Sequence, residues 1–299
     1  MSFALATIEL TGKTLACLEL AERFYPLESA SPDFGLPSNL MAVFDAWDKH
    51  YKSLERFASV CKPDGGVSRA QVKVLAPLLF PGKVLCAGAN YYDHLAEMGV
   101  TDLSKESQRL FFFFKPARSA VVGHESTVNY PLGTQMFDWE VELALVIGKE
   151  SRRLTLDNAM EAVAAYSVAL DLSARDFNQA PQTFYKLDWV AGKGQDMCCP
   201  LGPRLIPSAH ITNADDLALT LSVNGEVKQN ARTSGMVFNI KEQLVTLSNI
   251  MTLYPGDVVL TGTPAGVGFP KRTFLKPGDR IEAHVESIGT LAVAIGQPQ

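Results

Sequence analysis

The chain predicts an α+β fold in which strands dominate: a small N-terminal α+β unit followed by a rolled, mixed sheet. Three observations carry this. Beyond residue 78, short apolar runs bounded by turn residues outnumber segments of helical period. Pro77 to Gly82 contains two prolines and a glycine ahead of the apolar run Val84-Leu85-Cys86-Ala87, which divides the chain into 1–78 and 79–299. Two Pro-Gly-Asp turns, starting at Pro255 and Pro277, each feed a strand rather than a helix, unlike the alternation of a doubly wound sheet.

In order along the chain, residues 3 to 20 read as two short strands turning at Gly12-Lys13, and 26 to 37 read as a Pro/Ser/Gly-rich loop. Leu40, Val43, Phe44, Trp47, Tyr51 and Leu54 then recur at helical spacing, with Ser38 or Asn39 as the cap. After the break at Asp64-Gly65-Gly66 come a strand at 83 to 87, a helical turn from about 91 and an apolar run at 109 to 114. The alanine-rich stretch 156 to 165 predicts a helix, and Ser167 to Leu170 a strand ending at Asp171. Asn239 and Glu242 form a capping box opening a helix with Ile240, Leu244, Leu247 and Met251 on its apolar face. The strands Val258-Val259-Leu260 and Ile281 to Val285 follow the two Pro-Gly-Asp turns.

Composition narrows the partners. A net charge of −5 with interspersed signs offers no basic face to nucleic acid or an anionic membrane, so a small metabolite is expected. No segment is long enough to span a bilayer, and the first ten residues lack a signal-peptide pattern. Five dispersed cysteines without CxxC spacing predict reduced thiols and a cytoplasmic setting. Cys198 and Cys199, adjacent in an apolar stretch, read as packing residues, and His50, His124, His210 and His284 have no partner nearby in sequence.

The chemistry is expected around Asp138-Trp139-Glu140-Val141-Glu142-Leu143, where two carboxylates enter an apolar strand. At a period of two, Glu140 and Glu142 share one face while Val141, Leu143, Leu145 and Ile147 line the other. Carboxylates withdrawn from water need a cation, shared protons or solvent, and a hard divalent metal would satisfy both. Asp171 is the candidate third ligand, and an all-oxygen set suits Mg²⁺ or Mn²⁺ better than zinc. The alternative is a solvent-facing edge strand with Asp171 capping a turn. His94 and Glu97 stand three apart on one helical face, either as a base with its orienting carboxylate or as a surface pair. Lys193, flanked by glycines, is either a cation for a developing oxyanion or a solvated loop lysine. Thr261-Gly262-Thr263-Pro264-Ala265-Gly266-Val267-Gly268 lacks nucleotide-binding spacing, and its amides and the Thr263 hydroxyl could hold a small carboxylate or simply form a turn.

Taken with Gly88-Ala89-Asn90-Tyr91, Phe114-Lys115-Pro116, Leu170-Asp171 to Arg175-Asp176, Trp189 to Lys193 and Pro200-Leu201-Gly202-Pro203, these motifs give a sequence that resembles the fumarylacetoacetate hydrolase family from about Gly82 to Gly289. The resemblance includes its acylpyruvase-like and 2-hydroxyhepta-2,4-diene-1,7-dioate isomerase-like members. It implies a mixed β-roll, commonly a homodimer, with Mg²⁺, Mn²⁺ or Ca²⁺ held by Glu140, Glu142 and Asp171. It further implies that His94 and Glu97 activate water and that Lys193 assists at the substrate oxygens. Tyr92, Arg175, Asn178 and Thr263 are the expected substrate contacts, although Arg175 could equally pair with Asp176. Asn178 departs from the glutamine usual in the family, and Gly289-Thr290-Leu291-Ala292 lacks the polar residue that often follows the leucine. The loop from Phe177 to Trp189 is expected to be a mobile wall over the site.

The activity implied is metal-dependent hydrolysis of a C–C bond in an acylpyruvate or related β-diketo acid, within a catabolic route. Retention of both dyad residues favours hydrolysis, since water activation requires a base. The same site also suits a decarboxylase, isomerase or lyase working through a metal-stabilised enolate. A third class, a metabolite-binding protein without catalysis, conflicts with the intact set of candidate residues.

Overall fold

The computed structural model describes residues 2–100 and 104–298. Its largest sheet is built around Val141–Ile147, whose seven residues are all buried. Antiparallel ladders join this strand to Val163–Leu170 on one side and Val258–Leu260 on the other, with Val141 opposite Leu170 and Ala144 opposite Leu260. Beyond Val258–Leu260 lie Val84–Gly88, which runs parallel to it, and Phe111–Lys115 at the edge. In the other direction the sheet continues through Cys199–Pro207 to Ala4–Leu10 and Lys13–Leu20. A second sheet takes the order Glu226–Arg232, Ala218–Val223, Arg280–Val285, Gly289–Pro298 and Ser126–Tyr130, and its last pair is parallel.

The central strand feeds two cores. Leu143, Leu145 and Ile147 share one with Leu219, Leu221, Ala283 and Val293 of the second sheet. Ala144 and Val146 belong to the other, with Leu5, Leu18, Phe44 and Leu54 of the N-terminal region. A period of two sends alternate side chains to opposite faces, so one strand organises both layers.

Local signals place much of this. The Asn239 side chain accepts from the Glu242 amide and Glu242 returns a carboxylate to the Asn239 amide, opening the Ile240–Ile250 helix. At the Pro-Gly-Asp turns, Asp257 and Asp279 each accept a backbone bond of 2.7 Å from three residues upstream. Gly256 and Gly278 sit there at φ of 81° and 97°, which glycine adopts without strain.

Three expectations are corrected. Residues 26 to 37 are not all loop, because Leu27–Phe34 is a helix that buries Leu27 and Ala30. The predicted helix from residue 40 is broken at Ala46 (φ −140°, ψ 55°) into Leu40–Phe44 and Trp47–Val60, with the Trp47 ring stacked on Phe44 at 5.0 Å. The predicted helix at 156 to 165 becomes a 3₁₀ turn, Ala159–Ala162, running into the Val163–Leu170 strand. Alanine favours a helix in isolation, but a segment enclosed by strands on both sides satisfies its backbone through two ladders instead.

Leu145→Ala should lower stability by about 2–5 kcal/mol, because a side chain buried between two sheets leaves a cavity that rigid neighbours cannot fill. Urea unfolding checks this: the midpoint should fall while the slope is unchanged.

Candidate active site

The ladder that pairs Val141 with Leu170 brings the acidic residues together. Glu140 and Glu142 flank Val141 at the start of the central strand, Asp171 follows Leu170, and the Asp171 amide donates to the Glu140 carbonyl at 3.0 Å. One oxygen from each of the three carboxylates lies within 4.8 Å of the others. All three residues are buried, and the strand is interior to the sheet rather than at its edge.

Three cations share this space. Lys193 Nζ lies 2.7 Å from Glu140 Oε2 and 2.6 Å from Asp171 Oδ2. Arg175 contacts Glu140 Oε1 at 2.6 Å through Nη2 and Asp138 Oδ2 at 2.9 Å through Nε. Fully buried Lys115 donates to the carbonyls of Leu172 (2.9 Å) and Lys193 (2.6 Å), and its Nζ is 2.8 Å from Asp171 Oδ1. Among the described residues Glu142 has no such partner, and its Oε2 accepts the Gly262 amide at 2.5 Å. Burial, Asp171 and Glu140 therefore push its carboxyl well above the ordinary range. Burial also works against ionised Glu140, but Lys193 and Arg175 outweigh it and bring its pKa down to about 2.

His94 and Glu97 sit on the Tyr92–Glu97 helix, with His94 Nδ1 2.7 Å from Glu97 Oε1. Glu97 Oε2 accepts the Gly266 amide at 2.9 Å, so both carboxylate oxygens are engaged. The His94 ring lines the same cavity as the acidic triad, with Nε2 its remaining nitrogen. Tyr92 is the predicted contact that the fold does not bring there. It is 45% exposed and lines a different depression with Lys105 and Asn239. Two residues along a helix is a rotation of about 200°, so Tyr92 and His94 face opposite ways.

The glycine-rich segment behaves differently from its sequence reading. Its amides hold the protein's own carboxylates: Gly262 binds Glu142, Gly266 binds Glu97, and Gly268 binds Asp138 at 2.7 Å. Thr263 Oγ1 donates to the Val141 carbonyl at 2.9 Å, although the residue does line the cavity. Arg175 pairs with Asp138 and Glu140 and not with Asp176, which accepts from the Gln135 amide and the Thr134 hydroxyl.

The cavity encloses about 280 Å³. Its polar end holds the triad, His94, Lys193, Arg175, Asn178 and Thr263, while Phe111, Phe113, Trp189 and Phe269 form apolar walls. Trp189 stacks on Phe113 with centroids 5.1 Å apart. Within the predicted wall segment, Gln179–Ala180 pairs with Lys186–Leu187 as a short hairpin that carries Phe184, 94% exposed, near its tip. Lys115, Asp138 and Gln229 are site residues whose roles the sequence reading missed. Lys115 gave one signal, a charge ending the run of four phenylalanines, Phe111 to Phe114, on a strand.

The family model described as fumarylacetoacetate (FAA) hydrolase C-terminal matches residues 83–295. The chain belongs to the fumarylacetoacetate hydrolase family. Relatives in this family include the bovine (Bos taurus) protein named oxaloacetate tautomerase FAHD2A, mitochondrial, 40% identical over 225 residues, which covers 75% of this chain and 69% of that one. Oxaloacetate tautomerase YisK of Bacillus subtilis is 35% identical over 271 residues, 87% of each chain. Fumarylpyruvate hydrolase from Pseudomonas aeruginosa, solved with Mn²⁺ and pyruvate, is 32% identical with a TM-score of 0.66, covering 75% of this chain and 92% of that one. The mixed β-roll expected from the sequence is thus the fold of the family.

The donor set of this family member fits a divalent cation on its own geometry. Four buried carboxylates, Asp138, Glu140, Glu142 and Asp171, meet three cations, Lys115, Arg175 and Lys193. Among the described residues the side without a cation is Glu142, and Asp171 Oδ1 accepts no aligned hydrogen bond despite the nearby Lys115. Hard oxygen donors short of one positive charge are what Mg²⁺, Mn²⁺ or Ca²⁺ complements.

Glu142→Gln should leave the metal-free protein at least as stable as the parent, because it removes a buried acid without a cation. Since the raised pKa of Glu142 makes ionisation unfavourable in the folded state, the gain is absent below the ordinary value of 4.5 and grows as pH rises above it. Mn²⁺ at a hundredfold its dissociation constant should stabilise the parent by about 2.7 kcal/mol and the variant much less. Thermal melts with and without Mn²⁺ across pH read both effects.

Proposed function

We propose that the protein is a divalent-metal-dependent tautomerase of small 2-oxo acids, moving a proton between C3 and the 2-oxo oxygen of a substrate of the oxaloacetate type. The observation that carries this reading is that His94, held by Glu97 through Nδ1, lines one cavity with the Glu140, Glu142 and Asp171 donors. The names of two relatives direct the chemistry toward isomerisation, one of them matching 87% of the chain. The sequence reading took the dyad as favouring hydrolysis. A positioned base serves proton abstraction from carbon equally well, so the dyad does not separate the two.

Glu140, Glu142 and Asp171 would hold Mg²⁺ or Mn²⁺, which when bound would supply positive charge to the oxygens of a 2-oxo acid. Glu97 fixes the His94 ring through Nδ1, leaving Nε2 to take the C3 proton. The C–H electron pair becomes the C2–C3 double bond, and the carbonyl pair moves onto oxygen. Protonation of that oxygen completes the enol, so proton count and oxidation level are unchanged. Lys193, against two of the same carboxylates, adds positive charge where the oxyanion develops.

A second reading, C–C bond hydrolysis, is favoured by the Mn²⁺- and pyruvate-bound fumarylpyruvate hydrolase relative. In that case the same base faces a water molecule instead of C3. With oxaloacetate, the tautomerase reading expects accelerated loss of enol absorbance without pyruvate or CO₂. Pyruvate from fumarylpyruvate without any oxaloacetate interconversion would establish the hydrolase instead, and CO₂ from oxaloacetate a decarboxylase. His94→Asn should lower kcat for the enol–keto reaction by about 10²–10⁴-fold while Mn²⁺ affinity stays close to that of the parent.

A further inference from the structure

We propose that Gln229 is a positioning residue that holds the paired-glutamate strand and the glycine-rich loop as one body, and thereby sets the geometry between the metal donors and the His94 base. This rests on the metal-site reading above, but not on which reaction the site performs.

Gln229 comes from Glu226–Arg232 in the second sheet, and its side chain is completely buried. Both of its N–H donors and its carbonyl oxygen are used for ties. Its Oε1 accepts the Val141 amide at 2.9 Å, the peptide group lying between Glu140 and Glu142. Its Nε2 donates to Thr263 Oγ1 and to the Pro264 carbonyl, each at 2.8 Å. Thr263 Oγ1 returns to the Val141 carbonyl at 2.9 Å, closing a ring that joins strand and loop.

The loop tied in this way orients three acids through its amides. Gly262 reaches Glu142, Gly266 reaches Glu97, and Gly268 reaches Asp138, the carboxylate that holds Arg175. Gly266 is itself pinned, since its carbonyl accepts Trp139 Nε1 at 3.0 Å and a Cβ there would fall 2.0 Å from the Lys228 carbonyl. A shift of this loop therefore moves a metal donor and the dyad carboxylate together. Without the Gln229 amide, Val141 N–H, Thr263 and Pro264 would lose these bonds in a dry interior, where reorganisation is the alternative to an unsatisfied group.

The test uses the full chain, Mn²⁺ alone as the probe, and three variants. Gln229→Met keeps the volume and removes every tie. Gln229→Glu keeps an acceptor for Val141 and replaces the two N–H donors by at most one O–H, so that Thr263 or Pro264 loses its tie. Leu221→Ala, opposite Gln229 in the neighbouring strand, destabilises the sheet with the ties intact. Hydrogen exchange should show Gln229→Met losing protection at 261–268 and at Val141, and Gln229→Glu losing it at 261–268 alone. Both should weaken Mn²⁺ binding by about 10- to 100-fold, the range seen when groups behind metal ligands are removed. Leu221→Ala should bind Mn²⁺ like the parent at the same temperature below its melt. Unchanged loop protection in Gln229→Glu, or equal Mn²⁺ affinity in parent and Gln229 variants, overturns the proposal. A parent that binds no Mn²⁺ removes the metal reading, while the exchange pattern still decides whether Gln229 joins strand and loop.

Discussion

Burying three carboxylates within 4.8 Å of one another is the constraint to which the rest of the molecule answers. Like charges in a dry interior repel strongly, so the fold must deliver cations to the same point. It does so from three separate elements: Lys115 ends an edge strand, Arg175 follows Ser173–Ala174, the partner of Phe137–Asp138, and Lys193 ends the short helix Trp189–Lys193. Each arrives with a second anchor, and Lys115 even holds the carbonyl of Lys193. The charges are almost balanced by protein alone. The small imbalance is concentrated at Glu142, the triad carboxylate that makes no ion pair among the described residues.

Local signals made part of this legible. Glu140 and Glu142 stood out because a period-two strand exposes the conflict between carboxylates and their apolar neighbours without any knowledge of the fold. His94 and Glu97 were readable for the same reason, as a helical turn brings them together. The ties that complete the site join residues far apart in the chain: Lys115 to Asp171, Gln229 to Val141, and Gly266 to Glu97. Spacing cannot predict such pairings, because a strand's register and a loop's amide directions are set by packing. The same limit explains the strand Val163–Leu170, where alanine suits a helix or a small-residue strand and the two neighbouring ladders decide. Tyr92 failed in the opposite way: a place beside His94 in sequence is not a place beside it on a helix.

The glycine-rich loop changes meaning once its bonds are followed. Glycines next to a site suggest a cradle for a ligand, yet here Gly262, Gly266 and Gly268 direct their amides at Glu142, Glu97 and Asp138. The loop orients these acids, and of them Glu142 lines the cavity together with Lys193 and Arg175. Preorganisation of this kind places the cost of orienting dipoles in folding rather than in each turnover.

The pairing of Ala4–Leu10 with Cys199–Pro207 bears on what counts as the working unit of the family. The matched segment opens at residue 83, yet a chain begun there would strip cover from Leu201, Leu205, Ala144 and Val146, which pack in one core with Leu5, Leu18 and Phe44. Cys199–Pro207, which flanks the Val163–Leu170 strand, would lose its pairing with Ala4–Leu10 and expose unpaired backbone groups ready to capture another chain. In this protein the N-terminal residues thus serve as the outer staves of the large sheet, and the borders drawn by sequence kinship fall inside the structure that covers it.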